Sequence, residues 1–147
     1  MKIHIITVGK VSDAATLSLQ RDFEKRLSRW TDVEWQLVPH GKSVEAECKA
    51  ILKHIKPTDF VVLLDERGRE LSTEGMTRQL DQWLAGRKRI VFVIGGAYGV
   101  DEEVTGRADF VWSFSRLVFP HQLMRVLLVE QLYRIFSVRS GGKYHHA

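Results

Sequence analysis

The chain has 147 residues, of which 44% are hydrophobic and 27% are charged, a composition typical of one compact globular domain. Its single cysteine, Cys48, excludes an intrachain disulfide and a zinc site built on cysteines, and it fits a cytoplasmic protein. No apolar run approaches the roughly 20 residues of a membrane-spanning helix, so we expect no membrane association. The β-branched residues at 2–8 predict a first strand and not a signal peptide.

Strands and helices alternate in the predicted order of elements. Alternating or continuous apolar runs predict strands at residues 2–8, 33–38, 60–64, 90–94 and 110–114. Helical spacing predicts helices that follow Ser12 and Asp13, Ser43, and Ser72, a short helix at 101–107, and a last helix from Pro120 to about Val138. Five strands alternating with helices predict an α/β fold, in which a mostly parallel sheet is covered by helices on both faces.

The last predicted helix is apolar on almost every side, because apolar residues fill most positions between Leu123 and Phe136. A helix of this kind is buried from several directions. Two interpretations explain the burial equally well. Either a partner subunit covers the outer side, or the helix packs centrally within one chain.

The net charge of +4 is concentrated at the C-terminal end. Residues 1–110 contain 17 basic and 17 acidic residues, whereas residues 111–147 contain five basic residues and Glu130 alone. Such asymmetry can mark a surface that binds a polyanion such as RNA. Charge alone favours the simpler interpretation, a solvated helix with a few unpaired arginines.

Three glycine-containing segments follow predicted strands, and only one fits a ligand-binding loop. The segment Gly41-Lys42-Ser43 lacks the earlier glycine of a P-loop, since Gln36 stands there. The segment after the first strand has one glycine, Gly9, where a dinucleotide fingerprint needs three. The segment 95–99, GGAYG, follows a buried strand, and it either brings bare backbone close to a ligand or forms a tight turn.

Ligands of parallel α/β sheets bind beyond the C-terminal ends of the strands. Three such ends are Leu64, Gly95 and Phe114, and the predicted loop 114–119 is apolar. An apolar loop beside a glycine loop can hold an adenine through backbone hydrogen bonds and side-chain contacts. We expect no metal, because the adjacent His145 and His146 lack both ligand spacing and clustered carboxylates.

Three stretches carry longer motifs: FVIGGAYG at residues 92–99, SFS at 113–115, and FPHQLMRVLLVEQLYR at 119–134. Together with the first ten residues and the pair Tyr144-His145, they resemble the RlmH family of SPOUT methyltransferases. The resemblance covers essentially the whole chain, which is therefore expected to be one SPOUT domain, 1–147. Two departures from the family pattern are Val118, where a threonine is common, and Lys143, where a proline usually precedes the Tyr-His pair.

The resemblance implies a trefoil knot in the C-terminal part, a homodimer, and S-adenosylmethionine as methyl donor without a metal. It also implies methylation of N3 of a pseudouridine in 23S ribosomal RNA, on assembled ribosomes. The donor site that the family implies consists of Leu64, Gly95, Phe114, Ser115, Arg116, Leu117, Val118 and Phe119.

The sequence does not identify the group that handles the N3 proton. A cation could favour the deprotonated base, or a general base could remove the proton. The candidates, which could also contact RNA, are Arg125, Arg134, Tyr144 and His145. A salt bridge with Glu130, four residues before Arg134, is the simpler role for that arginine.

Two other functions are alternatives. One is a non-catalytic RNA-binding or ribosome-associated protein of the same fold, which the complete pattern of donor loops disfavours. The other is a small-molecule α/β enzyme with a nucleotide ligand, which the basic C-terminal end disfavours.

Overall fold

The fold is built around one five-stranded sheet, in a computed structural model that describes residues 2–10 and 13–146. The strands are β1 (Lys2–Val8), β2 (Asp32–Val38), β3 (Phe60–Arg69), β4 (Ile90–Ile94) and β5 (Phe110–Trp112). The helices are α1 (Ala14–Leu27), α2 (Val44–Leu52), α3 (Thr73–Ala85), α4 (Glu102–Arg107) and α5 (His121–Arg139).

All strand pairs in the sheet are parallel, in the order β2-β1-β4-β3-β5. Parallel neighbours require crossover connections, and the helices supply them on both faces. The helices α1, α3 and α5 pack on one face, where the core contains Leu27, Leu80 and Leu128. The helices α2 and α4 pack on the other face, around Cys48 and Val104. The predicted α/β class is therefore confirmed, whereas the trefoil knot stays a prediction.

Short polar side chains begin four of the helices, including Asp101 before α4. Asp13, Ser43 and Ser72 each accept a hydrogen bond from a backbone N–H in the first turn of α1, α2 and α3. Ser12, the other residue predicted to begin the first helix, lies outside the described residues. Pro120 precedes the first turn of α5 instead of lying within it, because its ψ of 143° is extended and not helical.

Two strands differ in length from the prediction. β3 continues past Leu64 through the polar residues 65–69, and β5 ends earlier than predicted, at Trp112. The extension pairs with β5 after a register shift. Gly68 permits this close approach, since a Cβ at that position would lie 2.6 Å from the carbonyl oxygen of Val111. The extension leaves the core, so its sequence needs no apolar alternation and carries no periodic signal.

The apolar helix α5 packs against both α1 and α3. Its residues Val126, Leu128, Val129 and Leu132 are all buried. Central packing within the chain therefore accounts for much of the apolar character of this helix. Leu123, near its start, is exposed.

Charged side chains close the amino edge of the sheet, where the strands begin. Asp59, which directly precedes β3, is buried. The Arg89 guanidinium donates to both of its carboxylate oxygens, at 2.8 and 2.6 Å, and Arg107 donates to its backbone oxygen at 3.0 Å. Burial acts to raise the pKa of Asp59, but the hydrogen bonds from Arg89 and its charge outweigh burial and hold that pKa below its usual value.

We expect Asp59→Asn to lower the free energy of unfolding by about 1.5–3 kcal/mol at pH 7, because it weakens hydrogen bonds between charged groups. The folded-state pKa of Asp59 is depressed, so its contribution is complete above the unfolded-state pKa of about 3.9 and is lost as the pH falls through the folded-state value. Urea unfolding between pH 7 and about pH 3 measures this change. The exposed Asp32→Asn is the control. A stability loss that does not shrink at low pH would contradict the assignment.

Candidate functional site

The carboxyl edge of the sheet, where the strands end, surrounds a cavity of about 830 Å³. Parallel pairing brings these strand ends together, so the loops that follow β3, β4 and β5 meet there. The start of α5 contributes a further wall. The lining consists of residues 64–67, residues 94–100, Trp112, Phe114, Ser115, residues 117–121 and Met124.

Seven of the eight residues predicted for the donor site line this cavity: Leu64, Gly95, Phe114, Ser115, Leu117, Val118 and Phe119. Arg116 is not among the lining residues. Its side chain is 92% exposed, and its Nε atom lies 3.7 Å from Glu70 Oε1. Its charged group stays in water, beside the cavity and not within it, and its place in the donor site stays a prediction.

The cavity also contains residues that the sequence analysis did not select. The polar residues 65–67 lie on the extension of β3, Tyr98 lies in the glycine loop, and His121 begins α5. Two of these groups could have been found from their positions. Residues 65–67 directly follow Leu64, and His121 lies just after the apolar loop. Composition and periodicity gave no reason to choose them.

The glycine loop is both a tight turn and a bare wall of the cavity. The Gly99 N–H donates to the Gly96 carbonyl oxygen at 3.0 Å, and Gly99 has a φ of +78°, which favours glycine. A Cβ on Gly95 would lie 2.8 Å from Val100 Cγ1, and a Cβ on Gly96 would lie 2.8 Å from Glu47 Oε1. The loop therefore has no room for side chains at these two positions.

The apolar loop 114–119 forms another wall of the cavity. This wall consists of side chains, whereas the wall at the glycine loop consists of backbone. The rings of Phe114 and Trp112 meet edge to face, with centroids 4.6 Å apart. The Ser115 hydroxyl accepts the Leu117 N–H at 3.0 Å, which fixes the turn. Leu117 and Val118 are nevertheless 69% and 76% exposed, and exposed neighbouring apolar residues are typical of a surface that meets a ligand or another molecule.

A fixed negative charge lies in the cavity wall at Asp65. Its carboxylate accepts hydrogen bonds from the Arg67 backbone N–H at 2.8 Å and from the Arg67 guanidinium at 3.0 and 2.9 Å. These bonds hold the pKa of Asp65 below its usual value. Asp65 is therefore an ionised carboxylate at neutral pH.

Arg125, predicted as a possible RNA contact, is 0% exposed. Its Nε donates to Thr7 Oγ1 at 3.1 Å, and its Nη2 donates to the backbone oxygens of Val8 and Gly9 at 2.9 and 2.8 Å. These partners are at the end of β1, so the guanidinium ties α5 to the sheet. In this structure the protein encloses the guanidinium, and the contact of Arg125 with RNA stays a prediction.

The other predicted RNA contacts, Arg134, Tyr144 and His145, lie together outside the cavity lining. Glu130 Oε1 accepts hydrogen bonds from Arg134 at 2.9 and 2.5 Å and from the Tyr144 hydroxyl at 3.2 Å. Burial and the nearby Glu130 raise the pKa of Tyr144, which keeps the hydroxyl a donor. His145 Nε2 lies 2.9 Å from Glu74 Oε1, on α3. Two side chains of the C-terminal tail, residues 141–146, thus contact their own chain, while residues 141–143 and His146 are exposed.

The cationic excess of the C-terminal end does not form a row of unpaired arginines in the described part of the chain. Arg125 is buried, Arg134 pairs with Glu130, and the Arg139 Nε lies 2.6 Å from Asp81 Oδ1. The simpler interpretation of the charge pattern therefore needs a correction as well, because these arginines are paired or buried and not free in solvent.

Neither a metal cluster nor a membrane span is found within residues 2–10 and 13–146. No group of three or more His, Cys, Asp or Glu side chains there could hold a metal ion. No helix among these residues combines the length and apolarity required to cross a membrane.

A parallel sheet with a glycine loop, an apolar loop and a cavity at its carboxyl edge defines a ligand-binding α/β domain. The model of a family described as "Predicted SPOUT methyltransferase" matches residues 1–145. The chain belongs to the SPOUT methyltransferase family and is a methyl-transferring enzyme.

One similar protein extends this assignment, and one solved structure shares the fold. The chain is 41% identical over 152 residues to "Ribosomal RNA large subunit methyltransferase H" of Caldicellulosiruptor bescii, a match covering 97% of this chain and 99% of the relative. A solved structure from Haemophilus influenzae Rd KW20, described as "a probable methylase family protein", matches with a TM-score of 0.57 and 14% identity. That match covers 95% of this chain and 66% of the other, and it supports the fold alone.

We expect Glu130→Gln to loosen the C-terminal tail, because the neutral amide binds the Arg134 guanidinium and the Tyr144 hydroxyl more weakly than a carboxylate does. Backbone amides of residues 143–146 should then exchange hydrogen at least about fivefold faster, equivalent to about 1 kcal/mol. Hydrogen exchange followed by mass spectrometry measures this rate. Glu102→Gln, at an exposed position on α4, is the matched control. Unchanged exchange in the tail of Glu130→Gln would show that other contacts hold it.

Proposed function

We propose that this chain transfers the methyl group of S-adenosylmethionine to N3 of a pseudouridine in 23S ribosomal RNA, on assembled ribosomes in the cytoplasm, and that residues 1–147 form one SPOUT domain. The observation that carries the proposal is the cavity, whose lining includes most of the residues that the resemblance implies for the methyl donor. The 41% identical relative, named as a methyltransferase of large-subunit ribosomal RNA, supports RNA as the substrate.

The cavity fits a donor of this kind. Its volume of about 830 Å³ lies within the usual range of sites for small molecules and cofactors. The apolar loop 114–119 offers side chains to a flat base, while the bare loop at Gly95 and Gly96 lets the backbone approach closely. When bound, S-adenosylmethionine supplies a methyl carbon made electrophilic by a sulfonium, and the walls orient it.

Mass mapping of 23S rRNA nucleosides, with and without this protein, tests the proposal. Purified ribosomes that lack the modification should gain one methyl group on one pseudouridine when incubated with the protein and the donor. Donor binding without methyl transfer would instead support a non-catalytic RNA-binding protein. Methylation of a different nucleotide would refute the assigned substrate.

We expect Gly95→Val to weaken S-adenosylmethionine binding at least about 100-fold, or about 2.7 kcal/mol. The new side chain would meet Val100 Cγ1 and the Gly99 carbonyl oxygen, so the loop must move away from its present position. Calorimetry measures the affinity. Gly106→Val is the matched control, because a Cβ at Gly106 has nothing within 4 Å. Wild-type affinity in Gly95→Val would remove this residue from the donor site.

We further propose a homodimer that covers the exposed apolar residues Leu117, Val118 and Leu123. Sedimentation equilibrium at micromolar concentration should give twice the chain mass of 16.9 kDa. We expect Leu123→Glu to raise the dimer dissociation constant at least about tenfold, since it would place a charge in the apolar interface. A stable, folded wild-type monomer at that concentration would exclude the dimer.

We retain Arg134, Tyr144 and His145 as proposed contacts with RNA. Deletion of residues 143–147 should leave the fold and donor binding largely intact, because the described part of this segment lies outside the hydrophobic core. Methyl transfer to ribosomes should fall at least about tenfold, or about 1.4 kcal/mol. A radiolabelled-methyl assay measures the rate, and wild-type transfer by the truncated chain would remove the tail from the RNA-contacting surface.

A further inference from the structure

The amino edge of the sheet carries a group of cations on the side of β3, β4 and β5. They come from the segment that follows α2, the turn that follows α3 and the end of α4. Residues 53–60, 87–89 and 107–109 together contain six basic and two acidic residues, an excess of four positive charges. That excess equals the net charge of the whole chain, +4. Residues 1–110 are balanced as a sequence, but the fold concentrates positive charge at this edge.

Hydrogen bonds hold these segments together. Arg89 donates to the His54 backbone oxygen at 2.9 Å and to both carboxylate oxygens of Asp59. Arg107 donates to the backbone oxygens of Lys56 and Asp59 at 2.9 and 3.0 Å. The charges of the three segments therefore lie on one fixed surface.

Four cations of this surface, which we call the amino-edge patch, are exposed: Lys53, Lys56, Arg87 and Lys88. None of them forms an ion pair within the described residues. The two carboxylates of the same segments are already engaged, because Asp59 pairs with Arg89 and Asp109 pairs with Arg107. A positive potential without a fixed counter-charge therefore remains at this edge.

Stabilisation of helix ends explains only part of the amino-edge patch. Lys53 directly follows α2, where a cation interacts favourably with the helix dipole. This effect falls off within the last turn, so it does not account for Lys56 or Lys88. Arg87 has a φ of 55°, in the left-handed region that favours glycine. A glycine would fit that backbone with less strain, so local folding does not explain an arginine there.

A cluster of exposed cations attracts a polyanion, and the phosphate backbone of RNA is the polyanion that the proposed function supplies. Lysine binds phosphate as a point charge. Contacts with phosphate fix the position of a protein on a nucleic acid and carry no sequence information. The amino-edge patch is therefore suited to positioning RNA and not to selecting a base.

The amino-edge patch and the cavity lie at opposite edges of the sheet. β4 connects the two edges, and its five residues span about 17 Å at about 3.3 Å per residue. An RNA that places one base in the cavity continues on both sides of that base. A ribosome is also much larger than this domain, so RNA outside the target nucleotide can reach the opposite edge.

We propose that the amino-edge patch binds the phosphate backbone of ribosomal RNA away from the methylated nucleotide, an inference that rests on the proposed function. The patch contributes affinity and orientation, whereas the cavity receives the methyl donor. Each phosphate contact releases condensed counterions, so the contribution of the patch weakens as the salt concentration rises.

The test compares wild type with two triple variants in binding to ribosomes that lack the modification. One variant carries Lys53→Gln, Lys56→Gln and Lys88→Gln, which remove three charges. The other carries Lys53→Arg, Lys56→Arg and Lys88→Arg, which keep the charges and make it the matched control. Co-sedimentation with ribosomes at several salt concentrations measures the dissociation constant and its salt dependence.

We expect the glutamine variant to bind ribosomes at least about tenfold more weakly at about 50 mM salt. The slope of log K against log salt concentration should become shallower by about two, because each lost phosphate contact removes about 0.7–0.9 from it. The arginine variant should bind within about twofold of wild type. Calorimetry should give both variants wild-type affinity for S-adenosylmethionine, since the patch lies outside the cavity lining.

A second measurement identifies the partner chemically. Cys48 is buried, so a cysteine introduced by Lys88→Cys can be labelled selectively with an iron chelate that generates hydroxyl radicals. In the complex with ribosomes, these radicals should cut the backbone of ribosomal RNA beside the patch. An absence of cuts would show that the patch faces a ribosomal protein or solvent, and it would overturn the proposal.

Wild-type affinity and salt slope in the glutamine variant would also overturn the proposal, even if ribosomes are methylated normally. An equal loss of binding in the arginine variant would do the same, because the shape of the side chains and not their charge would then matter. If the glutamine variant binds RNA weakly as expected but wild type methylates no pseudouridine, the proposed function fails and the RNA-binding patch stands.

Discussion

Parallel pairing of every strand is the constraint on which the rest of the molecule depends, because it makes the two edges of the sheet chemically different. The amino edge collects the backbone groups that begin each strand, and Asp59 and Arg89 close it with ion pairs. The carboxyl edge collects the loops that leave β3, β4 and β5, and the space between them stays open although the ion pair of Asp65 and Arg67 lies in its wall. A cavity forms there as a consequence of topology, before any particular side chain is considered.

Arg125 couples this topology to the chemistry of the site. Burial of a guanidinium is costly, and three hydrogen bonds to Thr7, Val8 and Gly9 compensate for part of that cost. The bonds fix the first turns of α5 against the end of β1. The same residue therefore sets the position of His121 and of the loop that precedes it, although it does not itself line the cavity. Charge patterning treats every arginine as a surface group. It therefore does not detect that Arg125 ties α5 to the end of β1.

The sequence predicted the fold well, because the strands β1 and β4 are buried runs whose apolar pattern marks their ends clearly. The cavity was also predictable, since its position follows from strand ends and from the motifs of the resemblance. What the sequence did not predict depends on long-range contacts. The extension of β3 depends on backbone pairing at Gly68. The burial of Arg125 depends on the packing of α5 against the end of β1. Neither contact leaves a pattern in the neighbouring sequence. The contact of the tail with its own chain likewise depends on a residue distant in the sequence, since Tyr144 bonds to Glu130.

The two walls of the cavity differ in how they could be redesigned. The wall at Gly95 and Gly96 is already reduced to backbone, so no substitution can make it smaller, and any larger residue meets Val100 or Glu47. The wall formed by Leu117, Val118 and Met124 consists of side chains that can be shortened. If the proposed donor occupies this cavity, room for analogues with bulkier transferable groups has to come from the side-chain wall. A mutant library confined to the side-chain wall would hold nearly all of the variants that enlarge the site.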